Sequence, residues 1–385
     1  MKFFETSSFF LFKSLLTKTT TKIDYFLLYI LSIMKKILSI LLTSILTLTA
    51  VAEKDPFVGF FKGTLITNKY GYPFTKVDNT VFGEVFRGPD GYRLKLLPAI
   101  FARAETFVVV DKLKSAGDKI ILNKVGNGEK FSNLEGFISA NEIDLKVLYR
   151  GLPAEVKLKR YNYQSPTLGL PAPAGAVVLF DGKNFNEWRG VSRGKECDIT
   201  WKINPDGSMT IDQTRDANGK KVSYVNIESK KVFGKLRMHI EFKFPCEYDK
   251  LRQARNNSGV IFNGMYEVQV LDSFGAEAFW DECGSIYRQV PPQVNACLES
   301  GVWQTYDIEF TPAVFEGDTC VQLPKATVWL NGVLVQRDTP FRYPTNQQPN
   351  KGATFDQSKH ARQVFIHLQD HTNPISFRNI WVKPL

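Results

Sequence analysis

The sequence has few of the residues on which metal sites and disulfide-rich folds depend. Its 385 residues include only five cysteines and four histidines. No CxxC pair occurs and no cysteine and histidine stand at zinc-finger spacing, so no structural zinc site is predicted. The odd number of cysteines leaves at least one thiol over, even if one or two disulfides form in an oxidising compartment. No cysteine lies in a recognisable nucleophile motif, which argues against cysteine catalysis.

Long apolar runs are missing beyond the N-terminal segment, which excludes a polytopic membrane protein. The formal net charge of +10 is concentrated in the first 165 residues, whereas residues 166–385 carry 25 basic and 24 acidic side chains. Proteins that bind nucleic acids usually concentrate basic charge in the domain that makes the contact. The largest part of the chain is almost neutral, so the sequence predicts no nucleic-acid partner.

Residues 1–52 are interpreted as a leader that contains a signal peptide. The segment 34–52 reads MKKILSILLTSILTLTAVA, with two lysines before an apolar stretch and small residues at its end. We predict translation from Met34, cleavage before Glu53, and export to the periplasm or the medium without a stable membrane anchor. An uncleaved anchor is the alternative, although the apolar stretch is shorter than a membrane span.

The rest of the chain shows strand-like runs separated by turn signals and no amphipathic stretch of helical length, which predicts an all-β protein. Residues 53–163 indicate a small β-sandwich or barrel with an accessory role. The Pro- and Gly-rich segment 164–176 is typical of a linker. Residues 177–385 fit a large two-sheet antiparallel sandwich. All six tryptophans lie there, and one or two of them are expected to line a groove where they can stack on sugar rings.

The run MYEVQVLDS carries the first candidate site. On a strand, Glu267 and Gln269 share one face and apolar residues occupy the other. Asp272 falls on the opposite face unless a bulge near Leu271 rotates it back. The pattern E-x-Q-x-x-D is similar to the E-x-D-x-x-E strand of laminarinase-type glucanases, which use two carboxylates. The amide at the middle position disfavours that mechanism, and ordinary surface polarity is the alternative.

The run VFIHLQDH carries the second candidate site. Alternation places His367, Gln369 and His371 on one face, and a neutral imidazole can act as acid or base near pH 7. Hydrogen-bonded structural histidines are the alternative. His367 and His371 would lie about 13 Å apart on a strand, too far for one ion to bridge, so no metal site is predicted there.

Three weaker candidates accompany these two runs. Asn257 stands in Asn-Ser-Gly, which is predicted to form a turn whose amide faces the groove. Glu241 and Asp307 are expected to add acids to the same sheet as Glu267.

Seven motifs occur in a fixed order between Val178 and Leu385. They are LFDGK at 179–183 followed by Trp188, NSGV at 257–260, YEVQVLD at 266–272, WQTYD at 303–307, LNG at 330–332, LQDH at 368–371 and FRNI at 377–380. This ordered set resembles the 3-keto-disaccharide hydrolase family, which implies a concanavalin A/glucanase-like jelly roll. The family usually has glycine after LQDH, whereas this chain has Thr372, so the placement of His371 depends on whether threonine adopts that backbone conformation.

The resemblance implies cleavage of glycosidic bonds in 3-keto-disaccharides or 3-keto-glucosides by removal of the C2 proton, elimination and hydration. In this scheme Glu267 and His371 are the catalytic residues. The substrate-binding residues are Asn257, Gln269, Asp272, Gln369 and His367. No cofactor is predicted, and a divalent cation that polarises the ketone is left open. The expected partner is a sugar or oligosaccharide. The alternatives are a non-catalytic carbohydrate-binding module and a retaining endoglucanase.

Overall fold

The structure is a computed structural model that describes residues 35, 53–67, 79–103, 105–347 and 355–385. The chain divides into two units, Met1–Glu53 and Lys54–Leu385, and the described residues of the second are compact. Apart from Lys35, the predicted signal segment lies outside the described residues, so export stays a prediction. Within the described residues, no helix has the length and apolar character needed to cross a membrane. The five cysteines all lie in the described part and are free thiols.

The first half of the second unit is a nine-stranded antiparallel meander. In the sheet the order is β4-β3-β2-β1-β9-β8-β7-β6-β5. Strand β4 also lies beside β6, so the sheet curls into a barrel around alternating apolar side chains such as Val85, Leu94, Leu145 and Val156. Its strands are β1 (Gly59–Thr67), β2 (Thr80–Gly88), β3 (Gly91–Leu97), β4 (Val108–Leu113), β5 (Ser115–Ala116), β6 (Lys119–Asn127), β7 (Phe131–Ile138), β8 (Glu142–Tyr149) and β9 (Leu152–Tyr161).

The second half is a sandwich of two antiparallel sheets. The first, the eight-stranded sheet, has the order β13-β14-β25-β16-β19-β22-β23, with β10 beside β25. The second, the six-stranded sheet, has the order β12-β11-β15-β24-β17-β18. Strands β20 and β21 form a separate hairpin, and two 3₁₀ turns occupy Arg252–Ala254 and Gln357–Lys359. The strands are β10 (Val177–Phe180), β11 (Trp188–Ser192), β12 (Lys195–Cys197), β13 (Lys202–Ile203), β14 (Met209–Thr210), β15 (Asn226–Ser229), β16 (Leu236–Lys243), β17 (Asn257–Phe262), β18 (Tyr266–Leu271), β19 (Trp303–Thr311), β20 (Val314–Glu316), β21 (Thr319–Gln322), β22 (Lys325–Leu330), β23 (Val333–Pro340), β24 (Ile366–Leu368) and β25 (Ser376–Pro384).

The core of the sandwich lies between the two sheets and is rich in aromatic rings. Phe262 of the six-stranded sheet stacks on Phe310 of the eight-stranded sheet, with ring centroids 4.3 Å apart. Burying one such ring contributes about 1.5–3 kcal/mol. Because the alternate positions of β17 and β18 enter this core, their other side chains must lie on the outside of the six-stranded sheet. The predicted all-β fold with a jelly-roll-like sandwich is confirmed.

Two turn sequences connect neighbouring strands, and the turn predicted at Asn257 is wrong. Gly-Pro-Asp-Gly at 88–91 connects β2 to β3, and Asn331-Gly332 connects β22 to β23. Asn331 and Gly332 have φ of 54° and 78°, as a two-residue hairpin with right-handed strand twist requires. By contrast, Asn257-Ser258-Gly259 forms the start of β17 rather than a turn, because it pairs fully with β18.

The segment predicted as a linker packs along the outside of the eight-stranded sheet, and we call residues 164–176 the strap. The Gly169 amide donates to Glu241 Oε1 (2.6 Å). The Leu170 carbonyl accepts from the side chains of Asn379 and Trp381, both at 3.1 Å. The strap is therefore held by specific hydrogen bonds rather than acting as a flexible spacer.

Beneath the strap lies a buried charge cluster formed by His239, Glu241 and Asp307. His239 Nδ1 lies 3.0 Å from Asp307 Oδ1 and its Nε2 lies 3.6 Å from Glu241 Oε1. The prediction that Glu241 and Asp307 share a sheet with Glu267 is wrong: both belong to the eight-stranded sheet. The alternation of side chains along a strand assigned each residue to one face of that strand. It could not identify the sheet to which the strand belongs.

Candidate functional site

The outer surface of the six-stranded sheet carries a row of polar side chains, which we call the polar face. Cross-strand partners share a face of a sheet, and the register pairs Arg189 with Glu228, Glu228 with His367, and both His367 and Glu267 with Ile261. The chain then returns beside β18, where the Tyr287 amide donates to the Glu267 carbonyl (3.1 Å). One row of side chains therefore runs across strands that are distant in sequence.

A second row of residues lies next to the first, and most of them carry a side-chain amide. Gly259 pairs with Gln269, and the backbone N–H of Gln369 donates to the Gly259 carbonyl (3.1 Å). The backbone N–H of Gln269 donates to the Ser285 carbonyl (3.1 Å). The structure thus brings together four of the predicted residues, which are Glu267, Gln269, His367 and Gln369.

Glu267 is the most chemically distinctive residue of the polar face. The side chain is buried, and its only hydrogen bond among the described residues comes from Thr345 Oγ1 to Oε2 (2.5 Å). Burial raises the pKa of this carboxyl to about 7, and the Thr345 bond and the charge of Arg288 only partly oppose the shift. A carboxyl with this pKa exchanges protons readily near neutral pH.

Gly259 provides the space that Glu267 occupies. A Cβ atom at position 259 would lie 2.7 Å from Glu267 Oε1, closer than nonbonded atoms approach. The backbone of Gly259 has no positive φ, so glycine is needed here for space rather than for conformation. The sequence motif contained this glycine, but its function could not be recognised before Gln369 and Glu267 were placed on either side of it.

If Glu267 acts on a bound substrate, we expect Gly259→Ala to lower turnover at least about tenfold, with a smaller loss of stability. The added methyl group displaces the Glu267 carboxylate from its bond to Thr345 but leaves the strand pairing intact. Turnover and thermal unfolding measured side by side test this. Gly234→Ala is the matched control, because a Cβ there meets nothing within 4 Å. Equal activity of the two variants would contradict the prediction.

His367 is oriented by a chain of charged contacts. Its Nδ1 lies 3.2 Å from Glu228 Oε1, and Glu228 Oε2 accepts from Arg189 Nη2 (2.9 Å). Burial opposes ionisation of Glu228, but the bonds to His367 and Arg189 outweigh it and lower the pKa of the carboxyl. Sequence reasoning missed Glu228 and Arg189. The alternation of Asn226 and Glu228 in YVNIES was the available signal.

A cluster of side-chain amides borders the polar face. Asn257 Nδ2 donates to Gln253 Oε1 (2.9 Å), and Gln269 Nε2 lies 3.4 Å from the same oxygen. Gln253 Nε2 in turn donates to the Asp281 carbonyl (2.8 Å). Asn257 and Gln269 are therefore held by Gln253, a residue that no motif identified.

Two polar atoms near the second row have no partner among the described residues. Gln369 Oε1 and Ser285 Oγ are both buried and make no hydrogen bond. Buried polar groups are almost always satisfied, so each exception requires an explanation. A bound ligand that donates a hydroxyl to Gln369 Oε1 would supply the missing bond.

His371 lies apart from Glu267, at the rim of the site. Strand β24 ends at Leu368, and His371 is exposed and makes no hydrogen bond with the described residues. The preceding Asp370 is fixed by Lys221 Nζ (2.5 Å) and by the Val225 amide (3.1 Å). The rim loop is thus anchored at Asp370, whereas the imidazole itself remains free to move.

Thr372 adopts the left-handed conformation that the family's usual glycine would occupy without strain. Its φ is 74°, which is unfavourable for a β-branched residue. The Thr372 amide donates to Asp370 Oδ1 (3.1 Å), so the anchored aspartate maintains this conformation.

We expect Thr372→Gly to stabilise the protein by about 1 kcal/mol, because strain of this kind costs about 1–3 kcal/mol and glycine recovers part of it. Urea unfolding measures the difference. Thr372→Ala is the control, since alanine keeps the Cβ and with it most of the strain. Equal stability of the glycine and alanine variants would show that the conformation is not strained.

Asp272 does not join Glu267. Strand β18 pairs with β17 without a register shift and ends at Leu271, so the bulge that would bring Asp272 onto the polar face is missing. Instead Asp272 Oδ2 accepts from Arg255 Nε (2.9 Å) and Ser300 Oγ (2.5 Å). The carboxyl therefore belongs to the boundary between the sandwich and the barrel.

Of the six tryptophans, Trp280 lies beside the polar face. The Arg288 amide donates to the Trp280 carbonyl (2.9 Å), and the Arg288 guanidinium lies 5.9 Å from the indole centroid. Trp188, Trp201 and Trp381 are buried. Among the described residues, no three His, Cys, Asp or Glu side chains are grouped so that they could hold a metal ion.

Comparison with known proteins identifies the family of the sandwich. The model of the family described as 3-keto-alpha-glucoside-1,2-lyase-like domain matches residues 175–383. No curated protein matches the sequence.

Solved structures that resemble the chain include proteins that act on or bind carbohydrates. A proposed glycosyl hydrolase from Parabacteroides distasonis is 36% identical, with 56% of this chain and 86% of that chain covered and a TM-score of 0.48. A second one from the same organism is 16% identical over 55% and 94%, with a TM-score of 0.38. The alginate lyase Aly36B, as a double mutant with an alginate tetrasaccharide, is 13% identical over 48% and 85%, with a TM-score of 0.30.

The family model covers more than half of the chain and includes every strand of the sandwich except the last residue of β25. It also includes the polar face, from Arg189 to Gln369. This chain therefore belongs to the family of 3-keto-alpha-glucoside-1,2-lyase-like domains.

Proposed function

We propose that the sandwich cleaves the glycosidic bond of 3-keto-glucosides by elimination, with Glu267 as the base. Membership of the family supports a carbohydrate-active hydrolase or lyase. The observation that carries the finer proposal is the pKa of Glu267, about 7 and caused by burial. An elimination needs one such base rather than the pair of carboxylates that ordinary glycosidases use.

The proposed reaction starts from the acidity that a ketone at C3 gives to the proton on C2. Glu267 removes this proton, and the electron pair of the C2–H bond forms an enediolate with charge on the C3 oxygen. The pair then forms the C1–C2 double bond while the C1–O bond breaks, and the leaving oxygen takes a proton. Addition of water across the double bond gives 3-keto-glucose. The lyase in the family's description supports the elimination half of this sequence.

The polar face offers partners for the remaining steps. Gln369 Oε1 has no hydrogen bond and can accept one from a sugar hydroxyl. Gln269 and Asn257 already direct their side-chain NH2 groups to Gln253 and to the Asp281 carbonyl, so they shape the edge of the proposed site. His367, held by Glu228, extends the substrate-binding surface. His371, exposed at the rim, is the proposed acid for the leaving oxygen.

A retaining endoglucanase fits the structure less well. Glu228 is the second carboxylate on the polar face, but β24 and β17 separate its strand from that of Glu267. Three strand spacings amount to about 14 Å, whereas retaining enzymes need about 5–5.5 Å and inverting enzymes about 6.5–9.5 Å. Asp272 lies off this face altogether.

The proposal is tested by incubating the purified chain with 3-keto-trehalose and with trehalose. We expect cleavage of the oxidised sugar alone, and transient 2-hydroxy-3-ketoglucal if hydration follows elimination. Binding without cleavage of either sugar would instead support a carbohydrate-binding module. Cleavage of trehalose would support an ordinary glycosidase. EDTA in the same assay separates catalysis by these side chains, which survives it, from catalysis that needs a divalent cation.

A further inference from the structure

A cavity lies between the barrel and the sandwich, within the unit Lys54–Leu385. Its volume is about 560 Å³, inside the range of small-molecule sites. The barrel contributes the turn between β2 and β3 and the strand β4. The sandwich contributes the segments 251–255 and 272–282. We call this space the interdomain cavity; Asp272, the last residue of the motif YEVQVLD, lines it, whereas none of the described side chains of the polar face does.

A buried ion pair lines the interdomain cavity. Arg255 and Asp272 expose 1% and 0% of their side chains and are joined at 2.9 Å. All three bonds to Asp272 reach Oδ2, from Arg255, Asn256 and Ser300. Oδ1 is buried without a partner among the described residues. A lining carboxylate oxygen that is desolvated and unpaired is an acceptor available to a ligand hydroxyl.

Aromatic rings form part of the walls of the interdomain cavity. Phe86 comes from the barrel, and Phe274 and Phe279 come from the sandwich. The Arg255 guanidinium lies 4.9 Å from the centroid of Phe86, so that ring is fixed against the ion pair. Phe279 is 46% exposed although it is large and apolar. A flat ring at the edge of a cavity is suited to stack on the C–H face of a sugar.

The charges of the lining exclude a strongly anionic ligand. The lining contains five carboxylates (Asp90, Asp111, Asp272, Glu277 and Glu282) and four cations (Arg93, Lys112, Arg252 and Arg255). Arg93 is paired with Asp111 (2.5 Å), and Arg255 is paired with Asp272. Paired charges of both signs, together with aromatic walls, favour a neutral ligand with many hydroxyl groups.

The interdomain cavity borders the amide cluster of the polar face. Arg252 lines the cavity, and its Nη2 lies 3.7 Å from Asp281 Oδ2. The next residue, Gln253, holds Asn257 and donates to the Asp281 carbonyl. The two sites are therefore separated by short segments around residues 252–253 and 281–282.

We propose that the interdomain cavity is a second carbohydrate-binding site, which holds a neutral sugar ring against Phe279 and Asp272. Through this second site, the barrel helps to recognise a sugar unit other than the one that binds at Glu267. The proposal concerns binding and needs no particular reaction at the polar face, so it can succeed or fail independently of the proposed function.

Calorimetric titration of the full chain with trehalose, cellobiose and maltotriose tests this proposal. All proteins carry Glu267→Gln so that turnover is prevented. We expect at least one sugar to bind, and Phe279→Ala to weaken it about three- to tenfold, the loss expected for one stacked ring. Asp272→Asn should weaken it as well. Phe137→Ala, on the barrel outside the cavity, should bind like the parent, and Gln369→Ala reports binding at the polar face.

The proposal fails if none of the three sugars binds. It also fails if Phe279→Ala binds as tightly as Phe137→Ala, since Phe279 is exposed and its loss should not unfold the chain. Weaker binding in Gln369→Ala with full binding in Phe279→Ala would assign the sugar to the polar face alone. Circular dichroism of Asp272→Asn distinguishes lost binding from lost folding.

Discussion

Turnover of a 3-keto-glucoside is expected to rise about tenfold per pH unit below pH 7 and to level off above it. The base must be ionised to take the C2 proton, and burial holds the pKa of Glu267 at about 7. Glu267→Gln should lower the rate about 10²–10⁴-fold, the usual contribution of a general base. The pH dependence of kcat/KM for both proteins is the measurement.

A second variant ties this profile to Glu267. Thr345 Oγ1 donates to the carboxylate and so favours its charged form. Thr345→Val removes that bond, and the midpoint of the profile should move to higher pH. Arg288→Gln should move it in the same direction, because the positive charge also favours ionisation. A midpoint that stays in place in both variants would assign the titration to another group.

Glu241→Gln is expected to destabilise the protein by about 3–5 kcal/mol, the cost of removing one partner from a buried ionic group. Burial disfavours the charged form of Glu241. The nearby His239 imidazole and the hydrogen bonds from Asn379, Arg378 and the Gly169 amide outweigh burial and hold the pKa at about 2. The loss should appear in urea unfolding, with Glu309→Gln as the control. Glu309 lies on the same sheet, and its side chain makes no hydrogen bond with the described residues.

The same cluster predicts a stability optimum in mildly acidic solution. The pKa of Glu241 is lowered from 4.5 to about 2, so its contribution is complete above pH 4.5 and is lost as the pH falls towards 2. Burial lowers the pKa of His239, but Asp307 and Glu241 outweigh it and raise the pKa above 6.5. That contribution is complete below pH 6.5 and is lost at higher pH. Unfolding free energies across pH 2–9 should therefore peak between about 4.5 and 6.5, and Glu241→Gln should flatten the acidic side.

The organisation of the polar face explains how the family motifs act together. The motif around Glu267 and the motif around Gln369 lie on β18 and on the end of β24, and both contact β17, where Gly259 stands between them. Neither motif by itself contains all the residues of the proposed site. Gly259 leaves room for the Glu267 carboxylate and Thr345 donates a hydrogen bond to it, and the proposed base depends on both.

The sequence by itself determined which residues share a face within one strand. The period of two put Glu267 with Gln269 and His367 with Gln369, because this feature depends on neighbours in the chain. The ordered motifs were enough to identify the family. Thr372 was correctly recognised as the position where backbone conformation would matter.

Only the tertiary structure decided which strands became neighbours. Glu228 meets His367 across 139 positions of sequence, and no local pattern specifies such a pairing. For the same reason Glu241 entered the buried charge cluster and Asp272 turned to Arg255 at the interdomain cavity. Alternation defines a side of a strand, whereas the sheet, its register and the opposing surface come from packing of distant segments.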